Sequence, residues 1–259
     1  MPRFAANLTM MFNEVPFLDR FAAAARAGFD AVEFLFPYEY PIEVVQDRLR
    51  QAGQRAALFN MPPGDWAAGE RGIAVFPERQ AEFSANLTEA LSYATALGVP
   101  RLHMMAGIAP SDDVFARTRY FAALGEAAEI AAAHGIDVLL EPLNTRDMPG
   151  YYLNSFDMAA EIISEVGRPN VKLQFDIYHC QILHGDVTTT LRKYLPITGH
   201  IQTASVPLRH EPCTGELDDS YLFRMIDELG YAGHIGCEYR PKADTMEGLR
   251  WFHSKGLGR

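Results

Sequence analysis

The sequence predicts a single (β/α)8 barrel, and three observations carry the prediction. Short apolar strands alternate with amphipathic helices eight times along the chain. The length of 259 residues is that of one such barrel, so residues 1–259 are read as one domain. The long connections follow strands and the short ones lead into strands, which gathers the binding loops on the carboxyl face of a barrel.

The elements follow in order. Arg3 to Leu8 reads as the first strand, and the helix after it runs from about Val15 to Ala27, with Phe17, Leu18, Phe21, Ala24 and Ala25 at helical spacing and Gly28 as its stop. Ala31 to Phe36 is the second strand; its helix starts after Pro41 and ends at Gly53. The third strand is Arg55 to Asn60, followed by a long loop from Met61 to Pro77 and a helix from Glu78 to Leu97 closed by Gly98. Arg101 to Met105 supplies the fourth strand, with a helix around Phe115 to His134, and Asp137 to Glu141 the fifth, with a helix near Phe156 to Val166. Val171 to Asp176 is the sixth strand, followed by a short helix near Val187 to Leu195. Gly199 to Thr203 is the seventh, a helix spans Ser220 to Leu229, and the segment Ile235 to Tyr239 contains the eighth. Eight alternations in this length favour closure into a barrel over an open doubly wound sheet.

Composition narrows the function. The formal net charge of −10 opposes a broad phosphate-tracking surface, so no nucleic-acid partner is expected. The chain is 48% hydrophobic without an apolar run of membrane-spanning length, and Met1-Pro2-Arg3 leads directly into a strand-like segment, so a soluble cytoplasmic protein with no membrane partner is expected. Cys180, Cys213 and Cys237 are odd in number and lack paired CxxC spacing, which indicates neither a disulfide framework nor a thiolate zinc site.

Four predicted strands end in an oxygen ligand: Glu141 after Val138-Leu139-Leu140, Asp176 after Leu173-Gln174-Phe175, Gln202 after His200-Ile201, and Glu238 after Gly236-Cys237. A single carboxylate at such a place often only caps the next helix. Four on consecutive strands converge on one face of a barrel and suit a hard divalent cation such as Mg²⁺ or Mn²⁺.

The segment Asn60-Met61-Pro62-Pro63-Gly64-Asp65-Trp66-Ala67-Ala68-Gly69-Glu70-Arg71-Gly72, together with Glu33-Phe34-Leu35-Phe36-Pro37-Tyr38, Asp176-Ile177-Tyr178-His179 and Gly236-Cys237-Glu238-Tyr239, resembles the hydroxypyruvate isomerase family of xylose-isomerase-like barrels. The similarity runs from about Phe4 to Trp251. It implies one divalent metal held by Glu141, Asp176, Gln202 and Glu238. One departure is Thr203, where an isoleucine commonly follows the ligand glutamine, a change of packing rather than of coordination. Related isomerases of four-carbon 2-oxo-tetronates share these motifs, and Asn144 to Gly150 with Val206 to Pro212 resembles that branch more closely.

The expected reaction interconverts hydroxypyruvate and tartronate semialdehyde, or 2-oxo- and 3-oxo-tetronate, through an enediolate stabilised by a chelated cation. Glu141 and Glu238 are the expected acid/base pair. An acid substrate needs a cationic partner, and Arg71, Arg209 and Arg240 are the candidates, each with an ordinary surface arginine as the alternative. Glu211 and Glu216 are placed near them as supporting hydrogen-bond partners. His179, three residues past Asp176, either reaches over the site to the substrate or supports a ligand. His103 either faces the cleft or packs in the core, and His134, His200, His234 and His253 are read as structural. Trp66 and Phe12 either wall the pocket or hold their own loops. Three rival functions stand beside this reading. A ketose epimerase would return a ketone, a binding protein would hold a sugar acid without turnover, and an apurinic-endonuclease-like metallohydrolase would need a histidine-rich zinc cluster where this chain offers Gln202.

Overall fold

A computed structural model of the chain describes residues 2–253. Its strands β1 (Arg3–Asn7), β2 (Ala31–Phe34), β3 (Arg55–Asn60), β4 (Arg101–His103), β5 (Asp137–Leu140), β6 (Val171–Asp176), β7 (Thr198–Thr203) and β8 (His234–Cys237) form a closed parallel barrel in sequence order, with β8 pairing back onto β1. The barrel expected from the strand–helix alternation is therefore the fold. Among the described residues no helix is long and apolar enough to cross a membrane.

The helices that cover the barrel are α1 (Phe17–Arg26), α2 (Ile42–Ala52), α3 (Gln80–Leu97), α4 (Val114–Ala132), α5 (Phe156–Val166), α6 (Ile177–Leu183), α7 (Val187–Tyr194), α8 (Asp219–Glu228), α9 (Thr245–Gly248) and α10 (Arg250–His253). Three of them, α6, α9 and α10, are absent from the sequence reading. The first begins without any connecting loop, because Asp176 at the end of β6 is already its N-cap and accepts a hydrogen bond from the Tyr178 N–H at 2.8 Å. The other two are single turns, too short to show a period. Strands β1, β2, β4 and β5 end one or two residues earlier than expected.

Side chains alternate between the helices and the barrel lumen. Phe34 and Phe59 point outward and stack at 5.9 Å, with Phe21 of α1 against Phe34. Phe4 packs outside the β1/β8 seam against Phe223, Trp251 and Phe252, so α8 and α10 close the barrel where its first and last strands meet. The lower lumen holds a separate cluster of small residues, Ala5, Ala31 and Ala57. The upper lumen differs from the usual apolar filling of such barrels, for it buries Asn7, Glu33, His103, Gln174, Asp176, His200 and Gln202. Burying so many polar groups costs stability unless they serve one another or a ligand, which marks this end of the barrel as functional.

The long loop after β3 is tied to β4 and to the segment that follows it, through Met61 N–H to the His103 carbonyl and Val75 N–H to the Ala106 carbonyl. Gly72 takes φ 102° and forms a bridge with Ala106, and a Cβ at this position would lie 2.2 Å from the Met105 carbonyl oxygen. Only glycine permits this approach. It draws Trp66 over the barrel mouth, where the indole becomes part of the cavity wall.

Candidate metal and acid/base site

The site grows out of strand register. Asp176 pairs with Gln202, Gln202 with Gly236, and Leu140 with Leu173, so Glu141 and Glu238 stand just above the last paired residues of their strands. All four oxygen-bearing residues face the same end of the lumen, and all are buried. A cavity of about 490 Å³ opens above them, its wall including Glu141, Glu238, His103, His179, Arg209 and Arg240.

Glu141, Asp176 and His179 each offer a ligand atom within 4.8 Å of the others, so these three could hold a metal ion. Asp176 does two jobs at once: Oδ1 caps α6, while Oδ2 is buried without a hydrogen-bond partner. Glu141 Oε1 is in the same condition. Two buried carboxylate oxygens without a hydrogen-bond partner, side by side in one pocket, fit a hard cation. His179 contributes differently. Its Nδ1 accepts the Asn144 N–H at 3.0 Å, and burial, with Arg209 and His103 nearby, holds its pKa well below the ordinary imidazole value. The neutral ring therefore carries its proton on Nε2, which lies 3.6 Å from Asp176 Oδ2 and is a donor toward the site.

Arg209 is the cationic centre. Its guanidinium lies 2.7 Å from Glu238 Oε2, 3.5 Å from Asp176 Oδ2 and 3.8 Å from Asp147 Oδ2, and it stacks on Tyr178 at 4.8 Å. The loop after β7 fixes it there: Arg209 adopts φ 57°, its N–H donates to Ser205, and its carbonyl receives the Arg240 N–H. Left-handed backbone at a non-glycine residue is unfavourable and is sustained by those contacts. Arg209→Ala leaves Glu238 and Asp176 buried beside no cation. A loss of about 2–5 kcal/mol in the stability of the site is expected, read as a lowered Tm, and a parental Tm would discard its central role.

The carboxyls respond to this setting. Burial pushes Glu238 up to about 8 although Arg209 pulls it down, and burial likewise pushes Asp176 up to about 6 against Arg209. Glu141 lies well above the ordinary carboxylate range, first through burial and then through repulsion from Glu238 and Asp176. Burial opposes the charge on Arg209, yet Glu238, Asp176 and Glu141 more than offset it and hold its pKa above the ordinary value. His103 is kept neutral by burial, with a pKa near 3, and its Nδ1 stands 3.6 Å from Glu141 Oε2.

Of the residues nominated from sequence, Glu141, Asp176, His179, Arg209 and Glu238 come together, and Arg240 lines the same cavity. Gln202 lies level with Asp176 in the strand register, its Oε1 receiving the Gln174 amide at 2.6 Å and its Nε2 donating to Glu33 at 2.8 Å. Arg71 lies outside the cavity wall, stacked on Trp66 at 3.8 Å and donating to the Trp66 and Glu70 carbonyls. Glu211 is also outside it, accepting the Lys242 N–H at 3.0 Å beside a separate cleft, and Glu216 accepts from Gln181. Phe12 packs against Phe29 in the core, whereas His103, left open between cleft and core, is part of the wall. The sequence reading assigned no role to Glu33, Asn7 or Gln174. Each is a polar residue in the middle or at the end of an otherwise apolar strand, at even spacing from a lumen-facing neighbour, and that was the available signal.

With this geometry in hand, the relatives are informative. Residues 21–255 match the xylose isomerase-like TIM barrel family. The chain is 57% identical to 2-oxo-tetronate isomerase of Cupriavidus necator, covering 97% of this chain and 98% of that one. It is 43% identical to hydroxypyruvate isomerase of Escherichia coli, over 97% of this chain and 98% of the other. A crystal structure from Brucella melitensis, described as an AP endonuclease of family 2, superposes with a TM-score of 0.96 at 50% identity, covering 98% of this chain and 99% of that one. The chain belongs to the xylose isomerase-like TIM-barrel family and is an isomerase of its hydroxypyruvate isomerase type.

Proposed function

We propose that this isomerase interconverts the 2-oxo and 3-oxo forms of tetronate, and that hydroxypyruvate and tartronate semialdehyde are the three-carbon version of the same reaction. The observation that carries the chemistry is the buried pair Glu141 and Glu238 facing one cavity that also holds Arg209. The greater identity to a 2-oxo-tetronate isomerase, 57% against 43% for a hydroxypyruvate isomerase, favours the four-carbon acid.

In either substrate the carbon bearing the 3-hydroxyl loses a proton to one glutamate, and the electron pair moves into a C2–C3 double bond as the C2 carbonyl becomes an enediolate oxygen. The other glutamate returns a proton to C2 while the O3 proton passes to O2, so that C3 becomes the carbonyl and C2 bears the hydroxyl; no external oxidant or reductant is required. A Mg²⁺ or Mn²⁺ ion held by Glu141, Asp176, Gln202 Oε1 and Glu238 would supply Lewis-acid stabilisation of the charge developing on the two substrate oxygens. Burial raises the basicity of both glutamates in the metal-free protein, and a bound cation would draw it back down. Arg209 and Arg240 attract the substrate carboxylate into the cavity, and the Nε2–H of His179 donates to a substrate oxygen. Trp66 and Met148 cover the mouth and restrict water. Arg71 acts on this surface only through the indole it supports. The oxygen-rich donor set speaks against a zinc phosphodiesterase, which prefers nitrogen ligands.

The substrate assignment is tested by kcat/KM for 2-oxo-tetronate and hydroxypyruvate with the Mg²⁺-loaded protein. The expected result is a higher value for the four-carbon acid. A higher value for hydroxypyruvate would reverse the order of the two substrates and leave the proton-transfer chemistry intact.

A further inference from the structure

Glu33 stands in the lumen beneath the site and is 1% exposed. Its Oε1 accepts from Asn7 Nδ2 at 3.0 Å and from Gln202 Nε2 at 2.8 Å, and its Oε2 pairs with His200 Nε2 at 2.7 Å. Gly236 makes the space, since a Cβ there would lie 2.2 Å from Glu33 Oε2. His200 Nδ1 is buried without a hydrogen-bond partner, so a neutral ring keeps its proton on Nε2, facing the carboxylate. Three donors from β1 and β7 thus converge on one acceptor from β2.

A carboxylate of this kind removes an ambiguity. An amide has a donor end and an acceptor end, and Glu33 accepts only from Nε2 of Gln202. The Gln202 oxygen is thereby turned the other way, where Gln174 Nε2 meets it at 2.6 Å. The Gln174 side chain in turn lowers the pKa of Glu141. On the other branch, the Asn7 amide that Glu33 holds is shared with Glu238 Oε1 at 3.4 Å. One chain of hydrogen bonds therefore runs from this carboxylate through Asn7 to Glu238, and another through Gln202 to Gln174, whose side chain acts on Glu141.

We propose that Glu33 is the positioning residue of this site: it fixes the amides of Gln202 and Asn7 and, through them, presents the Gln202 oxygen and aligns Glu141 and Glu238. Glu33 touches neither substrate nor metal, and the inference rests on the reading of Gln202 as an oxygen ligand.

The test is Glu33→Gln in the full chain, with Mn²⁺ binding followed by calorimetry beside steady-state kinetics. An amide at this position can present either end, so Gln202 loses its enforced orientation. Mn²⁺ affinity is expected to fall about 10–100-fold, with kcat reduced and KM near the parental value. The double variant Glu33→Gln, Gln202→Glu exchanges donor and acceptor across the same contact and is expected to recover most of the Mn²⁺ affinity. It decides the matter even where the single variant does not fold, because a purely structural Glu33 would make the two losses add. Parental Mn²⁺ affinity in Glu33→Gln, or no recovery in the double variant, overturns the inference. Parental affinity in Gln202→Ala overturns the ligand reading beneath it, which separates the two failures.

Discussion

Replacing either glutamate of the pair by glutamine is expected to lower kcat by about 10²–10⁴, the usual contribution of a positioned proton-transfer group. Glutamine keeps an oxygen that can face a cation and nearly keeps the shape of the side chain, so the substitution removes the proton-accepting function more selectively than alanine would. In Glu238→Gln the partner Arg209 loses its 2.7 Å ion pair, so KM is expected to change as well. Glu141 faces neutral His103, and Glu141→Gln should act mainly on kcat. Calorimetry on both variants checks that Mg²⁺ or Mn²⁺ still binds. Parental kcat in either variant with metal bound would remove that residue from the chemistry.

Chelation of divalent metal is expected to abolish turnover, and the stability of the metal-free protein should carry a definite pH signature. The folded-state pKa values of Asp176 and Glu238 are raised to about 6 and about 8. Groups raised in this way bind more protons folded than unfolded, so their contribution is fully present below their unfolded values of about 4 and is lost as pH rises from there through 6 for Asp176 and through 8 for Glu238. Metal-free protein should therefore lose Tm across that interval. Metal binding needs the same carboxylates ionised and releases their protons, so the rise in Tm on adding Mg²⁺ should be larger at pH 8 than at pH 6. Differential scanning calorimetry at both pH values, with and without Mg²⁺, measures this. An equal or smaller rise at pH 8 would show that these carboxylates do not compete between proton and metal.

The fold was legible because its signals are local and repeated. Helices α1, α2, α5, α7 and α8 carry an apolar stripe, and stops such as Gly53 and Gly98 end α2 and α3 where expected. Helix α6 was missed because Asp176 is at once the last residue of a strand and the cap of a helix, which leaves no loop residues to announce the change. The candidate site was legible along the chain where oxygen-bearing residues terminate strands, as at Glu141, Asp176 and Glu238. What lies across the lumen was less so. Glu33 and Gln202 are far apart in sequence and meet only because the barrel closes, with Gly236 giving them room. Two charged residues have local partners that sequence type did not reveal: Arg71 stacks on the Trp66 ring and Glu211 accepts the Lys242 N–H, outside the cavity wall in both cases.

The central claim is proton transfer between C2 and C3 by the buried glutamate pair, and proton NMR in D₂O addresses it most directly. Mg²⁺-loaded protein is incubated with 2-oxo-tetronate and, separately, with hydroxypyruvate until product and substrate reach equilibrium. The predicted result is the 3-oxo acid from the first and the aldehyde from the second, each with solvent deuterium at the carbon that received the proton. Product free of deuterium at equilibrium, or no turnover of either acid, would contradict it.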